Sequence, residues 1–163
     1  MVRLSVLSKY GGIWLDASCL CFESFDWVHE LNADTIFYYI PDVSHEIVPE
    51  SWFIACSREN EYIRLVNKEF RSVDEWPCMK EYIDSLTHID KTGIEDKLDY
   101  LLIYLVMKKV LEEHDWSGIK ILDASEGPYL YQKMGGVESI QRIEKKPKFF
   151  KFRKNEREQL LKV

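Results

Sequence analysis

The stretch KYGGIWLDAS, residues 9–18, decides how this chain is read. Gly11 and Gly12 offer the left-handed backbone on which helices commonly end. Ile13, Trp14 and Leu15 then form an apolar strand, and Asp16 closes it with a carboxylate. An ionised aspartate at the end of a buried strand is costly unless a cation, a set of donors or water stands beside it. The stretch therefore predicts a helix, a tight turn and a strand that delivers one acid to a polar site.

Upstream of the glycines, Leu4, Val6, Leu7 and Tyr10 fall at helical spacing and predict a helix over residues 1–10. Downstream, the chain continues extended through Cys19 to Phe22 and reaches a turn-rich helix near Phe25 to Leu31. Two strands follow, TIFYYI (35–40) and SWFIAC (51–56), around a loop at 41–50. RENEYIRLVNKEF (58–70) sets Tyr62, Leu65, Val66 and Phe70 on one helical face, with Glu59 and Glu61 near the positive end of the helix dipole. A second amphipathic helix is expected over 76–86. The longest is expected over 94–114, with a stripe of Leu98, Leu101, Leu102, Leu105 and Val106. IKIL (119–122) reads as a strand, and ASEGPYLYQKMGG (124–136) as a short helix with Pro128 in its first turn. This alternation predicts one mixed α/β layered domain over residues 1–163, with ligands gathered beyond the carboxyl ends of its strands. Asp16 lies at such an end.

With 163 residues, 46% hydrophobic and 31% charged, the chain can bury one core. Its longest apolar runs, such as Tyr100 to Met107, fall short of the roughly 20 residues that span a bilayer. No charged leader precedes a hydrophobic stretch, so a cytoplasmic location is expected. Cys19, Cys21, Cys56 and Cys78 are too scattered for a disulfide framework, and Cys19-x-Cys21 has no partner pair at zinc spacing. His29, His45, His88 and His114 stand in unrelated segments and read as loop or surface residues.

The formal charge of −6 is uneven, because residues 144–163 carry eight Lys or Arg against three Glu. The acidic body argues against a nucleic-acid partner. The basic tail, KKPKFFKFRKNER (145–157), interleaves Phe149, Phe150 and Phe152 with cations and has two readings. It either meets an anionic surface, such as the inner face of a membrane or an acidic glycan, or forms an edge strand with solvated lysines before a last short helix.

RLSVLSKYGGIWLDAS (3–18) resembles the donor-site motif of GT-A glycosyltransferases. The resemblance is specifically to the capsular polysaccharide synthesis proteins, relatives of the DxD sugar-binding-region transferases and, distantly, of the glucosylating toxins. It continues in WFIACSRENEYIRLV (52–66), DYLLIYLVMKKVLEE (99–113) and GPYLYQK (127–133). It implies a GT-A-like, Rossmann-like mixed sheet with flanking helices, and transfer of a sugar from a nucleotide-sugar donor, expected to be a UDP-sugar, to a glycan acceptor of a capsule or cell surface. Physical chemistry agrees with such a role, since departure of a diphosphate is assisted by a dication bridging carboxylate and phosphate oxygens. Mn²⁺ or Mg²⁺ would be held by Asp16 and, through its hydroxyl, Ser18; many relatives carry a second acid where this chain has Ser18.

By the same resemblance Asp16 and Asp99 are catalytic, Asp99 near the donor sugar, and Arg3, Gly11, Gly12 and Trp14 bind substrate, with Trp52 a lesser substrate-pocket candidate. Read alone, Arg3 is an ordinary solvated helix residue, Trp14 ordinary strand core, and Asp99 a first-turn acid beside Glu95 and Asp96. Glu50 and Asp96 are further pocket candidates. The strand-helix-strand unit that opens a GT-A domain is not found ahead of Arg3, which suggests an N-terminally truncated domain with an exposed edge at Ile13 to Leu15, prone to pair as a homodimer. The competing reading is a non-catalytic remnant or glycan-binding module.

Overall fold

The computed structural model describes residues 2–41, 47–92, 97–153 and 155–157. The opening stretch folds as its residues predict. Helix α1 (Val2–Tyr10) buries Leu4 and Leu7, and strand β1 (Gly12–Leu15) follows at once. Between them Gly11 donates its N–H to the Leu7 carbonyl at 2.8 Å with φ at +65°. A Cβ at Gly11 would stand 2.6 Å from the Arg58 backbone nitrogen, so glycine is required both for its φ and for this close approach.

After β2 (Cys19–Cys21) and the short helix α2 (Trp27–Glu30) come β3 (Thr35–Tyr39) and β4 (Phe53–Cys56). With β5 (Ile119–Asp123) these build a four-stranded mixed sheet in the order β1-β4-β3-β5. β4 runs antiparallel to both β1 and β3, and β5 parallel to β3, so β1, β3 and β5 all point the same way. Among the described residues β1 pairs only with β4, and Ile13 is exposed. The free edge expected at this strand is there.

The two faces of the sheet carry different cores, as the alternation of strand side chains demands. Phe37 and Ile54, cross-strand partners, face a layer formed by α1, α3 (Glu61–Ser72), α4 (Met79–Ser85) and α5 (Leu102–Glu113). Asn60 caps α3 by accepting the Ile63 N–H at 3.0 Å, while its own amide donates to the Asp34 carbonyl. On the other face, Ile36, Tyr38, Phe53 and Ala55 meet Trp27, Trp52, Tyr129, Tyr131 and the aromatic residues of β6 (Phe149–Lys151). β6 pairs antiparallel with β2, forming a second, two-stranded sheet.

Three expectations change. The second amphipathic helix starts at Met79, not at 76, because Pro77 holds Trp76 extended and has no N–H to give a helix. The long helix begins at Leu102. Residues 97–101 form turns that leave Tyr100 exposed, so no buried stripe supports helix there, and Ile94, Glu95 and Asp96 lie outside the described residues, as does His45. The segment around Pro128 splits into a 3₁₀ turn (Ala124–Glu126) and a four-residue helix, α6 (Leu130–Lys133). In the basic tail the expected strand forms as β6, but its Lys151 is largely buried and not solvated. Phe149, Phe150 and Phe152 are at most 3% exposed, so these rings serve the core and are not available to a membrane surface.

Candidate functional site

Because β1, β3 and β5 share one direction, their carboxyl ends and the approach to β4 converge at one rim of the sheet. A cavity of about 520 Å³ opens there, lined by Arg3, Asp16, Glu50, Trp52, Tyr104 and Lys151, with Arg153 and Arg157 at its wall. A larger hollow of about 820 Å³ opens at the opposite rim, among Gly12, Ile13, His29, Asp34 and Cys56, and no cationic side chain lines it. Charged chemistry is concentrated at the first.

Asp16 is the centre of that rim. Its backbone N–H donates to the Trp52 carbonyl at 2.9 Å, which fixes where β1 releases it. Its carboxylate accepts the Trp14 indole N–H at 3.0 Å and lies 3.4 Å from the Arg3 guanidinium and 3.5 Å from the Lys151 ammonium. Arg3 also donates to the carbonyl and hydroxyl of Ser51 and lies over the Trp14 ring, 5.4 Å from its centroid. Lys151 hydrogen-bonds the Ser18 hydroxyl and stands 5.9 Å over the Trp52 ring. The question raised by an acid ending an apolar strand thus has its answer in two cations and one indole.

Glu50 is the second carboxylate. It accepts the Tyr104 hydroxyl at 3.0 Å. Burial pushes its pKa up to about 7, against the opposing pull of the Tyr104 bond, Lys151, the Trp52 indole and Arg153. The Trp52 N–H is buried without a hydrogen bond of good geometry. Arg153 stacks 5.8 Å over Tyr129. Four cations therefore line the cavity against two carboxylates, one of them drawn toward neutrality.

Of the residues expected to act, the fold brings together Arg3, Trp14, Asp16, Ser18, Glu50 and Trp52. It does not bring in Gly11 and Gly12, which shape the α1–β1 turn, Gly12 opening onto the hollow at the other rim. Asp99 is exposed in the turn before α5 and lies outside the cavity wall, to which its neighbour Tyr100 contributes. Tyr104, Tyr129, Lys151, Arg153 and Arg157 were not anticipated as site residues. The interleaving of Phe and cation in the tail was the one available signal, since strand alternation sets Lys151 on the face opposite Phe150 and Phe152.

The pair Asp16 and Ser18 fits a dication poorly. Mg²⁺ and Mn²⁺ require several oxygen donors, and here the single carboxylate is already matched by two cations while the hydroxyl is bonded to Lys151. Among the described residues no three of His, Cys, Asp and Glu stand together as a metal-holding group.

A family model described as capsular polysaccharide synthesis protein matches residues 1–73, from α1 to the end of α3. The first two of the four resembling blocks fall within it, together with Arg3, Asp16, Glu50 and Trp52. The blocks at 99–113 and 127–133, and Lys151, lie beyond it. No curated protein and no solved structure matches the chain. The match suggests a role in capsule synthesis. No helix among the described residues is long and apolar enough to cross a membrane.

Proposed function

We propose that this chain transfers a sugar from a nucleoside-diphosphate donor, a UDP-sugar in the first instance, to a hydroxyl of a glycan acceptor during capsule synthesis. The observation that carries the reading is the meeting of Arg3 and Asp16 at 3.4 Å on the wall of an open, cation-rich cavity, within the stretch that resembles capsule-synthesis proteins. The donor is an anion with a polar sugar, and the cavity offers cations, aromatic faces and hydroxyls suited to both. In this reading Glu50, its pKa pushed up to about 7 by burial beside Tyr104, accepts the proton of an acceptor hydroxyl as the new glycosidic bond forms.

The test is release of nucleoside diphosphate from a panel of UDP-, GDP- and CDP-sugars, with and without capsular oligosaccharide. Turnover of at least one donor, accelerated by oligosaccharide and lost in Glu50→Gln, is the expected result. A chain that binds oligosaccharide but neither binds nor turns over any donor would instead be a glycan-binding module.

A further inference from the structure

The basic tail of the sequence brings Lys151, Arg153 and Arg157 to the cavity wall, and nothing in the donor-site motif accounts for them. Lys151 is held there by a built framework. Its N–H donates to the Pro128 carbonyl at 3.0 Å, and the next residue, Phe152, donates to the Ser18 carbonyl at 2.9 Å. The Tyr131 hydroxyl lies 2.9 Å from the Lys151 carbonyl and 2.7 Å from Glu156. Glu156 in turn accepts the Arg153 N–H at 2.6 Å and the Gln132 amide at 3.3 Å, tying down the turn that carries Arg153 and Arg157. The Lys151 side chain is only 11% exposed. Lys151 and Arg153 are thus placed by hydrogen bonds and rings, and Arg157 follows on the same turn through its N–H bond to the Arg153 carbonyl.

We infer that Lys151, Arg153 and Arg157, with Arg3 opposite, form a subsite for the diphosphate of the donor and supply the positive charge that a dication would otherwise bring. The inference rests on the donor reading above. In it Asp16 is a positioning residue, whose two carboxylate oxygens hold Arg3 and Lys151 at the cavity wall. A diphosphate carries two or more negative charges, and a fixed guanidinium fork or ammonium meets its oxygens with short charge-assisted bonds. As the glycosyl-oxygen bond breaks, the electron pair stays on the diphosphate oxygen, and these cations stabilise it there.

The experiment is calorimetric titration of the full chain with UDP and with inorganic pyrophosphate, each in excess EDTA and again in Mn²⁺. The wild type should bind UDP in EDTA, and Mn²⁺ should leave the affinity unchanged. Lys151→Met combined with Arg157→Gln should weaken binding about tenfold or more, Lys151→Arg should restore most of it, and higher salt should weaken the wild type. Asp16→Asn, which loosens Arg3 and Lys151, should change UDP affinity a few fold and equally in EDTA and in Mn²⁺, whereas loss of a metal ligand would abolish only the binding that needs Mn²⁺. A thermal melt of each variant shows that it is folded, and the rescue by Lys151→Arg separates charge from packing.

Binding of UDP that requires Mn²⁺ and ignores the Lys151 substitution would overturn the inference and leave the transferase reading standing. So would a site that takes an acidic oligosaccharide and is not competed by UDP. Pyrophosphate binding as tight as UDP would still support the subsite while showing that the nucleoside adds little. Failure of every nucleoside diphosphate to bind, with or without metal and with no donor turned over, would remove the underlying reading instead.

Discussion

The two faces of the sheet bury their side chains by different means. On one, α1, α3, α4 and α5 lay aliphatic stripes on Phe37 and Ile54, with Leu4, Ile63, Val66 and Val106 essentially inaccessible. On the other, short strands, turns and a four-residue helix are held by rings, among them Phe53 stacked on Phe149 at 5.5 Å, Tyr38 on Trp52 at 5.3 Å and Trp27 on Phe53 at 5.9 Å. Regular helices need only periodic apolar residues. Irregular segments lack that repeat, and large aromatic surfaces bring them together from distant parts of the chain. The cavity opens at the seam, with Arg3, Ile103 and Tyr104 from the helical layer and Trp52, Tyr129 and Lys151 from the aromatic one. The helical layer supplies rigidity, and the aromatic face brings most of the positive charge.

The comparison breaks first at Phe149. Phe149→Ala removes a ring that touches Phe25, Tyr38, Trp52 and Phe53, and should cost about 4 kcal/mol of stability in a denaturant titration. It should also loosen β6 and with it Lys151, so donor binding should fall in protein that remains folded. If binding survives, the aromatic face does not position the site.

Glu50 sharpens the contrast through pH. Its folded value near 7 lies above the roughly 4.3 of an unfolded glutamate, so between these values the folded chain keeps a proton that the unfolded chain has released. Stability should therefore be full at and below about pH 4.5, fall as pH rises toward 7, and level off above, by as much as about 3 kcal/mol from this group. Glu50→Gln should flatten that slope and stabilise the protein at pH 8, measured by melts across the range.

Smaller effects belong to the helical side. Asn60→Ala removes the α3 cap and a donor to the Asp34 carbonyl, and should cost about 1–2 kcal/mol. Ile63→Val trims one buried methyl group and should cost about 1 kcal/mol. Neither should alter donor affinity, and a change from Ile63→Val would mean that the two layers are not separable.

The same division governs how far the sequence could be read. The α1 helix, the double-glycine turn, β1, β3, β4, α3 and β5 were legible because each combines a periodic pattern with clear stops. The acid at Asp16 announced its need for partners, and the motif singled out Arg3 for the same site as a substrate-binding residue. What the pattern could not disclose was that Lys151, 133 residues after Ser18, arrives beside both, since pairing between β2 and β6 leaves no local trace in either strand. A motif read along the chain assigned Asp16 to a metal, while the fold had already matched it with two side chains. Asp99, expected by resemblance near the donor sugar or as a first-turn acid, falls in the turns before α5, because the helix begins eight residues later than the pattern suggested.

The β2–β6 ladder also gives the cavity a history. As the chain leaves the ribosome, Arg3 can find Asp16 within moments, yet the lysine that completes the triad is synthesised only after the helical layer has had time to pack. Until that late strand docks, the nascent protein holds a half-built pocket whose acid lacks its Lys151 partner.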